Sequence, residues 1–257
     1  AKTSFLPKLN RNHLGIAIVV LLALLVRKSM ITAENPDFRV FLVPWYRFII
    51  KNGGFSALQY DFSNYSPPYL YLLALSANLF NGSGAPHLPI KIIPIVFDFI
   101  NAVLVYRLIR KKYTNGPLPI YGVVVFLFAP TVLVNSAYWG QADALYTSGL
   151  LACLLCLVNG KERPAFLFYG LALAMKLQAI FFAPLLLALW LSRKVSWKSF
   201  LIIPGVYLLA ILPAWLAGRP LLDLLLIYFR QAQTNNRLTM NAPTLYAWLP
   251  NSLYNFI

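Results

Sequence analysis

Apolar runs recur along this chain, most of them closing on lysine and arginine, and one large polar insert, Glu34 to Pro68, interrupts them after the first run. A helix needs about 20 apolar residues to cross a hydrocarbon core of roughly 30 Å. About six or seven such crossings fit beside an insert of this size. Only 11% of the residues are charged and the mean hydropathy is +0.66, whereas soluble domains carry roughly a quarter charged residues. The pattern therefore predicts an all-α polytopic membrane protein.

The insert holds three of the seven acids, Glu34, Asp37 and Asp61, many aromatics and a Ser-Pro-Pro break. Long loops in compact proteins are functional or disordered, and this one is too aromatic for disorder. It is the candidate active-site loop. Within it, Phe38 to Ile50 alternates at helical spacing, which predicts an amphipathic helix on the membrane surface. The segment YLYLLALSANLF after Pro68 is too short to cross and reads as a juxtamembrane or re-entrant helix started by its proline.

The charge of +15 comes from 22 Lys+Arg against 7 Asp+Glu. In so apolar a chain this reads as cytoplasmic-loop charge and contact with anionic membrane lipid rather than nucleic-acid binding. Cys153 and Cys156 lie in an apolar run with no second pair, so they read as small core filler. His13 and His87 are far apart and define no metal site. The run Leu14 to Val26 lacks a small-residue cleavage site and reads as a retained span rather than a signal peptide.

Lys2, Lys8 and Arg11 place the N-terminus in the cytoplasm. The spans then run from Leu14 to Thr32, Ile90 to Leu108, Pro119 to Tyr138, Ala144 to Val158, and Phe200 to Leu216. The run between Pro164 and Ser192 carries one charge, Lys176, and is basic at both flanks. That calls for a broken hairpin with Lys176 near its turn, inside the membrane in a protein-lined cavity. The total is about seven crossings in a single transmembrane domain over residues 1–257, with an outer loop over 34–89.

This topology gathers the chemically capable groups on the outer face. Glu34, Asp37 and Asp61 come from the insert, and Gln141 and Asp143 from the turn Trp139-Gly140-Gln141-Ala142-Asp143. A tryptophan beside amide and carboxylate suits a sugar ring, or marks an interfacial aromatic with a helix-capping acid. Lys91 and Asp98, seven residues apart, share one helix face. Ionisable groups inside a membrane cost at least ~2.5–3.5 kcal/mol each and mark function, or else a structural ion pair for Asp98 and a snorkelling end for Lys91.

These pieces fall in an order that resembles the glycosyltransferase-C superfamily, and within it bacterial relatives of the second mannosyltransferase of GPI-anchor assembly. They are Asp37 with Trp45-Tyr46, YSPPYLYLLAL, Lys91 with Asp98, WGQADALYT, GLALAMKLQAIFFAPLLL and NAPTLYAWL. Protein O-mannosyltransferases and aminoarabinose transferases share a looser likeness. The resemblance implies transfer of a mannose-like hexose, with inversion, from a polyprenyl-phosphate sugar to an outer-face acceptor.

By that likeness Asp37 is the general base and Glu34 its alternative. Lys176, with Gln178 and Lys91, meets the donor phosphate. Trp139, Gln141, Asp143, Asp98 and Tyr65 shape the sugar or acceptor pocket. The donor is a substrate, and neither a cofactor nor a divalent metal is called for. The family carries further spans after the Asn-Ala-x-x-Leu segment, so the expectation is the N-terminal part of a longer fold, or a chain whose partner subunit supplies the missing C-terminal spans. A bacterial plasma membrane is the expected location, with the endoplasmic reticulum or another internal membrane as the alternative. Two other functions compete: a non-catalytic or degenerate subunit of a membrane complex, and a transporter or flippase.

Overall fold

The computed structural model describes residues 11–80, 84–233 and Trp248. Lys2, Lys8 and all of the NAPTLYAWL segment except Trp248 lie outside them. Among the described residues every regular element is helical. In chain order these are α1 (Arg11–Met30), α2 (Val43–Lys51), α3 (Pro67–Leu79), α4 (His87–Lys112), α5 (Leu118–Phe128), α6 (Pro130–Leu133), α7 (Asp143–Val158), α8 (Glu162–Met175), α9 (Ala183–Leu191), α10 (Ile202–Leu216), α11 (Leu221–Leu225) and α12 (Ile227–Gln233). Two π-helical segments, Phe38–Leu42 and Val134–Trp139, and three 3-10 segments complete the list.

Two helical stretches, His87–Lys112 and Trp197–Leu216, are long and apolar enough to cross a membrane, and a third is added if a bent pair counts as one. That pair is Leu118–Phe128 with Pro130–Trp139, bent by 48°. The sequence reads it as one continuous span. The bend arises because Ala129 precedes a proline and is forced out of the helical region, to ψ 127°. Asp143–Val158 and Leu177–Leu191 are apolar but shorter. Exposed leucines and isoleucines along α1 and α10, among them Leu21, Leu25, Leu209 and Leu216, form the water-shunning exterior expected of a membrane protein.

The insert does not lie loosely over the helices. Phe38, Leu42, Trp45, Tyr46 and Ile49 bury one stripe of a continuous helical stretch, at the spacing of 3.6. They share a core with Leu70, Leu73 and Ala74 of α3, Ile90 and Ile93 of α4, and Leu145 of α7. α3 starts on Pro67 and runs 13 residues, roughly 20 Å, and its apolar side chains are spent on that core. The insert thus forms a lid over one end of the bundle.

Below it, α7, α8 and α10 pack closely. A Cβ on Gly149 of α7 would sit 2.8 Å from the Ala172 Cβ and 2.9 Å from the Phe168 carbonyl oxygen of α8, so only glycine permits this approach. α8 ends at Met175, Lys176 is extended, and a 3-10 segment, Leu177–Phe182, leads back into α9. The break in the apolar run therefore falls on its one charged residue.

Candidate functional site

Five of the residues singled out above meet at the lidded end. Gln141 Nε2 donates to Asp37 Oδ2 at 3.2 Å, and the Tyr65 hydroxyl donates to Gln141 Oε1 at 2.8 Å. The Lys176 ammonium lies 5.6 Å from the centre of the Tyr65 ring and donates to Asp143 Oδ1. Asn135 Nδ2 holds the other Asp143 oxygen at 2.7 Å. A carboxylate from the insert and an ammonium from the α8–α9 break are thus joined through one amide and one phenol.

Local structure explains the convergence. Asp37 opens the π-helical turn Phe38–Leu42, and Trp139 closes the other, Val134–Trp139. Such turns cost backbone regularity and are frequent at functional sites. Asn35 ties the two together: its Oδ1 accepts from the Phe38 N–H and its Nδ2 donates to the Trp139 carbonyl. Gly140 follows in the left-handed region, at φ +76°, with its Cβ position 3.3 Å from the Lys91 side chain. That turn presents Gln141 and starts α7 at Asp143.

The insert's Asp37 carboxylate keeps one oxygen, Oδ1, without a donor among the described residues, and Asp37 is half-buried. Glu34 differs. Its two oxygens take Arg39 Nε at 2.6 Å and His87 Nε2 at 2.8 Å. Those two hydrogen bonds, Arg39's first, hold its carboxyl below the ordinary value. Burial pushes the Tyr65 phenol up, so it stays a donor.

Lys91 and Asp98 do share a face of α4, but that face serves α1. Lys91 is fully buried and donates to the carbonyls of Ala33 and Met30, 2.5 and 3.4 Å away, where α1 ends. A cation suits carbonyls at a helix C-terminus and the negative end of the helix dipole. Asp98 pairs with Arg27 of α1 at 2.9 Å and accepts from the Ser136 hydroxyl. Arg27 also donates to the Ala23 and Leu127 carbonyls. Neither Lys91 nor Asp98 bonds to the Asp37–Lys176 network; Asp98 reaches its edge through Ser136, next to Asn135. A cavity of about 200 Å³ does bring Asp98, Asn135 and Asp143 onto one wall.

Trp139 and Gln178 are exposed and give no side-chain bond to the network. Arg27, Asn35, Asn135 and Ser136 were missed in the sequence. Arg27 could have been found as a charge near the end of the first apolar run; the three small polar residues carry no comparable signal.

A larger cavity, about 400 Å³, lies one aromatic layer away. Trp45 lines it and packs on Tyr65 with ring centres 5.0 Å apart. Phe41 supplies a second aromatic wall, and Asp61, Asp223, Arg219 and Arg230 its charged rim. Arg219 is almost wholly buried and paired with Asp61, while its Nε has no hydrogen-bond partner among the described residues. Also among the described residues, no group of three His, Cys, Asp or Glu side chains is placed to hold a metal ion. Compared with family models, curated proteins and solved structures, the chain matches none.

Proposed function

We propose that this protein is a membrane glycosyltransferase that moves a mannose-like hexose from a polyprenyl-phosphate donor to an outer-face acceptor, with inversion. The observation that carries this reading is the meeting of Asp37 and Lys176 across Gln141 and Tyr65. In the proposed reaction the free Oδ1 of Asp37 takes the proton of an acceptor hydroxyl. The hydroxyl oxygen attacks the anomeric carbon, and the bond from that carbon to the phosphate oxygen breaks. Lys176 meets the charge that develops on the leaving phosphate, and Asp143 with Asn135 orients it. The cavity walled by Phe41 and Trp45 suits an acceptor sugar, with aromatic faces for the ring and charged groups for its hydroxyls.

The reading includes about seven crossings, with the N-terminus in the cytoplasm and α8 with α9 as a broken hairpin. A bacterial plasma membrane is the proposed location. Purified chain in proteoliposomes, given radiolabelled polyprenyl-phosphate sugars, should transfer label to an acceptor, and Lys176→Met should not. One observation favours a second reading. Lys176 already has a carboxylate partner in Asp143, as a purely structural network would. A non-catalytic subunit would bind no donor and would co-purify with a stable partner.

A further inference from the structure

α4 runs 26 residues, roughly 39 Å, from the lidded end to a basic end. Two cavities adjoin at that far end. One, about 380 Å³, is an apolar groove between α1, α4 and α5, walled by Ile16, Val19, Phe99, Val103, Ile120 and Val123. The other, about 690 Å³, is lined by Arg107, Arg110 and Lys111 of α4 with Thr114 and, from the end of α7, Asn159. Val103 and Tyr106 line both. Phe99, Val103, Tyr106 and Arg110 follow one stripe of α4, so the apolar wall leads directly into the cations.

Several cations elsewhere in the chain are neutralised by acids. Arg39, Lys176, Arg219 and Arg230 each pair with a carboxylate, as does Arg27 within the bundle. Arg107, Arg110 and Lys111 are exposed, and none has a carboxylate partner among the described residues. The acid nearest in sequence on this side, Glu162, accepts instead from the Ser196 N–H and the Ser199 hydroxyl. Three unpaired cations beside a groove with almost no polar surface define an amphipathic ligand: an anionic head on an apolar tail. Basic clusters at a membrane surface and between helix ends take such headgroups.

We propose that the α1–α4–α5 groove and the basic end of α4 form one binding site for an anionic phospholipid. An acyl chain lies along Phe99 and Val103, and the phosphate sits on Arg107, Arg110 and Lys111. The Tyr106 hydroxyl, 3.4 Å from Arg110 Nη1, orients that guanidinium. This site is separate from the Asp37–Lys176 network and stands whether or not the chain transfers sugar.

Native mass spectrometry of the full chain, titrated with phosphatidylglycerol and with phosphatidylcholine of the same acyl chains, tests it. The wild type should retain phosphatidylglycerol preferentially. The double variant Arg107→Gln/Arg110→Gln should weaken that binding by about 30-fold, from the attraction of two surface cations, and weaken that of phosphatidylcholine, whose phosphate is offset by its choline, much less. Val103→Trp, which fills the shared wall, should weaken both lipids. Arg47→Gln, on the exposed face of α2, serves as control and should change neither. Equal retention of the two lipids by the wild type overturns the proposal, as does an undiminished preference in the double variant. Unchanged binding in Val103→Trp overturns the groove as the acyl-chain site.

Discussion

The Tyr65 hydroxyl donates to the Gln141 side chain at 2.8 Å across 76 residues of sequence, and that bond fastens the insert to the turn between the second π-helical segment and α7. Through it Gln141 is oriented with its amide nitrogen toward Asp37. Tyr65→Phe keeps the ring beside Lys176 and removes only the hydroxyl. We expect a stability loss of about 1 kcal/mol and a transfer rate lower by roughly tenfold as Gln141 and Asp37 lose their fixed geometry. Label transfer and denaturation in micelles check the two effects. An unchanged rate with the same loss of stability would separate Tyr65 from the chemistry.

Arg27 and Asp98 form a desolvated pair, 1% and 3% exposed. Removing one partner leaves the other charged and unpaired, so Arg27→Met and Asp98→Leu should each cost about 3–5 kcal/mol. The double variant should lose less than the two single losses together, with a coupling above ~1 kcal/mol. Chemical denaturation of the four proteins measures it.

Gly140 sits at φ +76° against Lys91, Phe38 and Leu42. Gly140→Ala adds a side chain in the left-handed region and should destabilise by roughly 1–2 kcal/mol. Gly205, with open space at its Cβ position and no positive φ, is the comparison: alanine there is expected to be neutral or stabilising.

Glu34 sets a pH dependence whose direction follows from its hydrogen bonds. Its folded carboxyl titrates below the ordinary 4.5, so the carboxylate form stabilises the folded state. That contribution is present above pH 4.5 and is lost as the pH falls through the lower folded value. The gap in thermal midpoint between wild type and Glu34→Gln should therefore be full at pH 7 and close below 4.5. A gap that holds constant down to pH 3 would contradict the assignment.

The helical class, the proline start of α3 and the helix break at Lys176 were legible because each is written locally, in hydropathy, in Pro67-Pro68, or in one charge within an apolar run. Partners were not. Lys91 and Asp98 share a face by spacing alone, but what they touch is set by α1, some 60 to 70 residues away in the chain. Glu34 and Asp37 look equivalent in sequence. Only packing shows Glu34 occupied by Arg39 and His87 while Asp37 keeps one oxygen free. The bend at Ala129 was visible as Pro130, yet the run's even hydropathy favoured one straight span.

The most direct test is transfer of radiolabelled sugar from a polyprenyl-phosphate donor in membranes carrying wild type or Asp37→Asn at equal abundance. Loss of a general base lowers rates by roughly 10²–10⁴-fold, so the account predicts a fall of at least about 100-fold with donor binding intact. Equal transfer by the two proteins would contradict it.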